Sequence, residues 1–494
     1  MPAKFSLALM LFLMFNGCRQ KVATPSATDM VEAHRPLYHF TPDSMWMNDP
    51  NGLVYHDGEY HLFYQYYPDS TVWGPMHWGH AVSRDLMHWE DLPIALYPDS
   101  LGLIFSGSCV IDSANTSGFG QRSMVAIFTH HHMGREKAGD TTFQYQSIAW
   151  SEDKGRTFKK YSGNPVIANP GIRDFRDPKV SWDHIHKQWV LILAAYDKAM
   201  IYTSPDLIHW QESSTFGIPG DTRLWECPDL FPMTVKGSGQ TKWVLMVSIQ
   251  KLAPNGGTAT SYFVGDFDGK KFIANPKDQK WLDYGKDNYA FVTWSNLPGP
   301  FIRGIGWMSN WQYAQAVPTK KWRSAMTLPR DLTLQKINGS YVLSSMPTAE
   351  VFDVFEPAAS MAMLSDKPVQ IPEACYLDVK WVPGASEEKI SIFNQQGDTL
   401  IIGCQRQENR IFVDRTKAGE SSFSKDFAGK HYGVLPVWRD TLSLRIFLDV
   451  ASLEVFANNG ECSMTEIFFP ATPLNMLQTG TSAQNMSVGF RKLK

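Results

Sequence analysis

Apolar positions along this chain fall into short alternating runs bounded by Gly, Pro, Asn and Asp, and stretches of 3.6-residue periodicity are missing between them, so the pattern predicts strands rather than helices. A polar turn ending on an aromatic recurs between the runs: Ser83-Arg-Asp-Leu-Met-His-Trp89, Ser151-Glu-Asp-Lys-Gly-Arg-Thr-Phe158, Ser204-Pro-Asp-Leu-Ile-His-Trp210 and the weaker Asp266-Phe-Asp-Gly-Lys-Lys-Phe272. The intervals of 68, 53 and 62 residues each hold one four-stranded sheet, which predicts the blades of a β-propeller over residues 35–345. Their unequal lengths speak against a fixed-period solenoid, and the missing helical period speaks against a parallel α/β fold. Past Val351 the turn no longer occurs. Short strands from Tyr376 to Val382, Lys389 to Phe393, Thr399 to Cys404, Arg410 to Val413, Ser443 to Leu448 and Ser452 to Phe456 predict a β-sandwich over 355–494, with the domain boundary between about Ser344 and Pro357.

The first 18 residues differ from the rest. Lys4, the apolar run from Phe5 to Phe15 and Asn16-Gly17-Cys18 are too short to span a bilayer and have the shape of an export signal. Two readings remain: a lipoprotein signal that anchors the protein through a lipidated Cys18, for which Phe15 is a poor match, or a plain signal cleaved slightly further on. Both export the protein to the cell envelope or beyond it. Residues 19–34 are polar and read as a tether.

With 46 Lys plus Arg against 49 Asp plus Glu, the net charge of -3 offers no field to hold a nucleic acid. The 17 Trp, 18 Tyr and 29 Phe suit both β-sheet cores and sugar faces, so composition does not choose between them. Cys18, Cys109, Cys227, Cys375, Cys404 and Cys462 form no CxxC pair and have no His at zinc spacing, which argues against a structural metal site and a dense disulfide framework. His130-His131-His132 sits with Gly134, Arg135 and Lys137 and reads as a solvated loop rather than a metal site. No phosphate-binding loop or other cofactor signature is seen.

Three carboxylates stand out. Asp49 lies in Trp46-Met-Asn-Asp-Pro-Asn-Gly52, where Pro50 and Gly52 force a turn at a strand end. Asp177 lies in Phe175-Arg-Asp-Pro178, beside an Arg that could simply pair with it, and Glu226 lies in Leu224-Trp-Glu-Cys-Pro-Asp229, among neighbours that look buried. Alone, each has a bland reading as a turn starter or a structural ion pair. In different blades, their strands converge on one axis, and a Trp-rich funnel with paired carboxyl groups is most simply a glycoside-processing site. A Ser nucleophile is disfavoured because no Gly-x-Ser-x-Gly elbow occurs.

These motifs, with Phe105-Ser-Gly-Ser108, Asp283-Tyr-Gly-Lys286 and Trp311 in Ser309-Asn-Trp-Gln-Tyr313, resemble in order and spacing glycoside hydrolase family 32, the invertases, inulinases and levanases, from about His39 to the end of the chain. The resemblance implies an all-β, five-bladed propeller followed by a C-terminal β-sandwich. It implies Asp49 as nucleophile, Glu226 as general acid/base and Asp177 as transition-state stabiliser, kept ionised by Arg176. Trp46, Asn48, Gln65, Trp73, Phe105, Ser106, Arg176 and Trp311 would hold the terminal fructosyl unit, and Asp283 and Lys286 would shape the leaving-group side. The substrates implied are levan, inulin and sucrose, without a cofactor. Alternatives are a narrower invertase, a fructosyltransferase with the same site, and a secreted sugar-binding propeller that is not an enzyme.

Overall fold

The computed structural model describes residues 32–357, 362–364, 366–384, 387–480 and 486–494; the segment expected to be an export signal, Cys18 and most of the expected tether lie outside them. Five antiparallel sheets follow one another along the chain. Blade I is Met45–His56, Glu59–Tyr67, His77–Ser83 and Trp89–Leu96; blade II is Leu103–Asp112, Ser123–His131, Gln144–Ser151 and Lys159–Lys160. Blade III is Phe175–Asp183, Gln188–Ala195, Lys198–Ser204 and Gln211–Gly217; blade IV is Trp225–Thr234, Thr241–Ile249, Ala259–Phe267 and Phe272–Ile273. Blade V is Tyr289–Thr293, Arg303–Met308, Arg330–Ile337 and Ser340–Pro347. The first strands of successive blades touch, and that of blade V touches that of blade I, so the ring closes. Two ties lock the closure: Ser295 exchanges backbone hydrogen bonds with Leu53 and Tyr55 at 3.0 Å, and Trp322–Arg323 pairs in parallel with Met45 and Trp46.

The recurring turn joins the third and fourth strands of blades I to IV. Its Asp caps the turn: Asp85 accepts from the N–H of Met87 and His88, and Asp206 from that of Ile208 and His209, at 2.8 to 3.0 Å. The closing Trp89 and Trp210 donate their indole N–H to Leu86 and Leu207 at 2.9 Å, which holds those leucines at a φ of 66°. In blade V the equivalent connection is a tight Asn338-Gly339 hairpin with both φ positive. A two-residue turn has no room for the motif, so only four of the five blades are marked in the sequence.

The second domain is a sandwich of two six-stranded antiparallel sheets over a core that includes Trp381, Ile390, Ile402, Leu444 and Val455, all fully buried. Its contact with the propeller combines apolar clusters, one joining Leu328 with Phe447 and another Met308 with Phe427, with buried charges. Arg330 pairs with Asp283 at 2.8 Å and with Glu454, and Arg415 pairs with Asp287 and, at 3.0 Å, with Glu466. His39 lies between Asp449 at 2.8 Å and Glu454 at 3.0 Å. Asp283 and Lys286 belong to this contact and not to the leaving-group side of a sugar pocket. Asp283 also accepts from Thr465, the Lys286 ammonium donates to the Asp426 carbonyl, and Gly285 between them lies so close to Thr465 that a Cβ there would sit 2.0 Å from its nitrogen.

Candidate active site

Every inner strand of the propeller carries a break in its ladder near its start. The pairing register shifts between Met47 and Pro50, Ile104 and Gly107, Glu226 and Asp229, and Tyr289 and Val292, and in blade III it shifts opposite Asp177 and Pro178. Pro50, Pro178 and Pro228 cannot donate to a ladder, and Asp177, Cys227 and Ala290 take positive φ angles of 63°, 46° and 52°. A bulge turns a side chain out of the regular alternation; those of blades I to IV turn Asp49, Ser106, Asp177 and Glu226 into a common cleft at the end of the axis, and that of blade V brings the Tyr289 hydroxyl to Glu226. The cleft has a volume of about 360 Å³; its walls include Asn48, Asp49, Gln65, Trp73, Phe105, Ser106, Arg176, Asp177, Glu226 and Trp311.

Asp49 accepts hydrogen bonds from the Ser106 hydroxyl at 2.7 Å and from the Asn48 amide at 3.0 Å. Burial and the charge of Glu226 push its carboxyl above the usual range, and the two donors oppose that shift. The Cys227 sulfur lies 3.4 Å from Asp49 and 3.7 Å from Asp177, and the Cys227 backbone N–H donates to Asp177 at 3.0 Å, so one residue joins two of the three carboxylates. Burial and the surrounding carboxylates hold the Cys227 thiol well above its ordinary pKa, so it remains a thiol.

Glu226 is held from two sides. Arg176 donates to it at 2.9 and 3.3 Å, and the Tyr289 hydroxyl donates to its other oxygen. Burial with the Glu226 charge pushes the Tyr289 phenol well up, so it stays a donor. Arg176 also pairs with Asp174 at 2.7 Å, but is 3.9 Å from Asp177. Arg176 favours the ionised form of Asp177, the direction expected, but its short contacts are with Glu226 and Asp174, and burial still pushes the Asp177 carboxyl up to about 7.

The neutral wall is equally fixed. Gln65 donates to the Asn51 side chain at 2.8 Å and to the Ile104 carbonyl at 3.1 Å, leaving its oxygen free to accept. Trp73 meets Phe105 edge to face, and Trp311 stacks on Trp46 with centroids 5.9 Å apart. Trp46 itself is fully buried, so it supports the floor by stacking and by donating to Asn48 at 2.7 Å rather than lining the cleft as expected. Sequence reasoning missed Tyr289, which stands buried in an apolar strand without a polar motif and bonds Glu226, and His131, Glu136, Gln144, Asp174 and Gln250, which face the cleft. The histidine triplet is not a solvated loop. His130 and His131 are buried in the strand Ser123–His131, where Phe105 stacks on His131 at 4.2 Å, and His132 caps the short helix Met133–Lys137. Burial lowers the His131 pKa to about 4 despite Glu136 at 3.0 Å, so the ring presents a neutral face.

Paired carboxyl groups on rigid strands, beside aromatic faces and placed amides, can protonate a leaving oxygen and attack an acetal carbon. The model of the glycosyl hydrolases family 32 N-terminal domain matches residues 39–346, and that of the family 32 C-terminal domain matches 358–494. The chain is 45% identical over 460 residues to the levanase of Bacillus subtilis (strain 168), covering 89% of this chain and 67% of the relative. It is 36% identical over 513 residues to the extracellular exo-inulinase of Aspergillus niger, covering 94% and 95%. Its fold superposes with a TM-score of 0.85 on the β-fructofuranosidase of Schwanniomyces occidentalis complexed with fructosyl-erythritol, at 32% identity over 95% of this chain and 100% of that one. On both domains and on the cleft between the inner strands, the chain belongs to glycosyl hydrolase family 32.

Proposed function

We propose that the protein releases fructose from β-fructans of the levan and inulin type, and from sucrose, with retention of configuration. The observation that carries this reading is the gathering of Asp49, Asp177 and Glu226 around Cys227 in one cleft. Asp49 attacks the anomeric carbon as the bond to the leaving oxygen breaks, and Glu226 gives its proton to that oxygen. Water then attacks the fructosyl ester, its proton returns to Glu226, and Asp49 leaves as carboxylate. Arg176 and Tyr289 hold Glu226 in line, and Asp177 binds ring hydroxyls more strongly as the ring flattens. The similarity to a levanase and an exo-inulinase supports the substrate class. The test is a product profile on levan, inulin and sucrose with the wild type and Asp49→Asn. The amide cannot form the ester, so kcat falls by roughly 10³-fold or more in a folded protein; a near-normal kcat in Asp49→Asn removes it from the mechanism.

The same proposal places the enzyme outside the cytoplasm, tethered by lipid at Cys18. The sequence motif supports this, as does the extracellular location in the name of the Aspergillus niger relative. Replacing Cys18 by Ser is expected to move activity from the membrane fraction to the soluble fraction at unchanged kcat. Wild-type activity that is already soluble after export leaves a plain signal peptide.

A further inference from the structure

The inner strands end at a second cavity. It has a volume of about 390 Å³ and is lined from blades II and III and the segment after the inner strand of blade V, by Val110, Ser181, Trp182, His184, Trp189 and Asn296 among others. On the strand Phe175–Asp183, Asp177 faces the catalytic cleft and Trp182 this cavity. Five residues of extended chain put about 16 Å between them, so the cavity opens at the opposite pole.

Its chemistry is specific. Among the described residues no Lys, Arg, Asp or Glu lines it, so it has no permanently charged side chain with which to select an ion. Trp182 is half-buried and meets Trp189 edge to face at 4.9 Å, and Trp189 is held by its indole N–H donating to Thr116 at 2.9 Å. The Trp182 indole N–H, the Ser181 hydroxyl and the His184 ring meet no hydrogen-bond partner among the described residues, and Asn296 uses its amide nitrogen on the Tyr55 carbonyl at 2.8 Å, leaving its oxygen. A flat aromatic face with several free donors and acceptors suits a polyhydroxylated ring, which is apolar on its faces and polar at its edges.

The rim is also rigid. Buried Asp112 accepts from the N–H of Thr116 at 2.9 Å and of Ser117 at 2.8 Å, and buried Asp183 accepts from that of Ile185 at 2.9 Å and His186 at 3.2 Å. The two loops that border the cavity are thus held before any ligand arrives, which reduces the ordering cost of binding.

We infer that this cavity is a second, non-catalytic binding site for a neutral oligosaccharide, holding another stretch or branch of the fructan whose end is cleaved at the first pole. The identity of the sugar rests on the function proposed above. Holding a polymer at two points raises the local concentration of chain ends without changing the chemistry.

Nystose, a neutral fructo-oligosaccharide, titrated calorimetrically into the Asp49→Asn protein tests this. Two sites per chain are expected, falling to one when Trp182→Ala or His184→Ala is added. In the active enzyme the same changes are expected to lower kcat/KM on levan by roughly threefold to tenfold and to leave sucrose turnover unchanged, which also reports that the variants fold. His184 is exposed and its removal leaves the core untouched. A single site in Asp49→Asn, two sites that persist in both added variants, or an equal loss on levan and sucrose overturns the inference. A wild type that cleaves no β-fructoside overturns the proposed function instead, whereas normal cleavage with a single binding site overturns only this second pocket.

Discussion

Asp177 is buried beside two other carboxyl groups, and burial pushes its pKa from 3.8 to about 7, with Arg176 opposing and Glu226 and Asp49 adding to the rise. A carboxyl raised in the fold binds its proton more tightly there than in the unfolded chain. Its contribution to stability is therefore present below pH 3.8 and is lost as pH rises through 7. Asp177→Asn removes that loss and keeps an oxygen for the Cys227 N–H, so at pH 8 its melting temperature should exceed the wild type's by a few degrees, roughly what 1 to 2 kcal/mol produces, while turnover collapses. Equal or lower melting at pH 8 would show that the charge is compensated. Asp49, Asp177 and Glu226 were legible in the sequence because each is followed within two residues by a Pro that marks a bulge. Tyr289 was not, since only folding brings it to Glu226, 63 residues away.

At the scale of elements, the repeated turn is a local device. Asp206 satisfies two backbone N–H groups and the Ser204 hydroxyl, all within its own connection. Asp206→Ala is expected to cost about 1 kcal/mol in urea unfolding, as loss of a cap does, at unchanged kcat. A loss of activity without loss of stability would mean that the turn communicates with the cleft. The inner strands behave differently, because their bulges place Asp49, Asp177 and Glu226 only in combination with neighbouring blades. Ser108 accepts from Val180 and donates to the Pro178 carbonyl, both at 3.0 Å, tying the blade II bulge to that of blade III.

For the whole molecule, the joint between propeller and sandwich sets buried charges among apolar clusters, and His39 reports on the charged part. Burial opposes its charge, but hydrogen bonds to Asp449 and Glu454 prevail and raise its pKa from 6.5 to about 9. A raised His contributes stability that is full below pH 6.5 and is lost as pH rises through 9. The change corresponds to about 3 kcal/mol. Urea midpoints should fall between pH 6.5 and 9 in the wild type, and His39→Gln should lack most of that slope. A slope unchanged in His39→Gln would place the titration elsewhere.

Local order is what the sequence determined by itself. Alternation marked the strands, the capped turn marked four blades, and the Pro-flanked acids marked the three carboxylates, because each of these is settled by neighbours within a few residues. The fifth blade, hidden by the Asn338-Gly339 hairpin, was settled by closure of the ring, which no local signal records. Long-range pairing decided the roles of Asp283 and Lys286: Thr465 and the Asp426 carbonyl, their partners, lie in a domain that begins some 70 residues later, and buried charges must be matched wherever the fold supplies a partner. The same reason explains His131, whose polar surroundings in sequence gave way to a stacked, buried position, because exposure is a property of the packed molecule and not of the neighbouring residues.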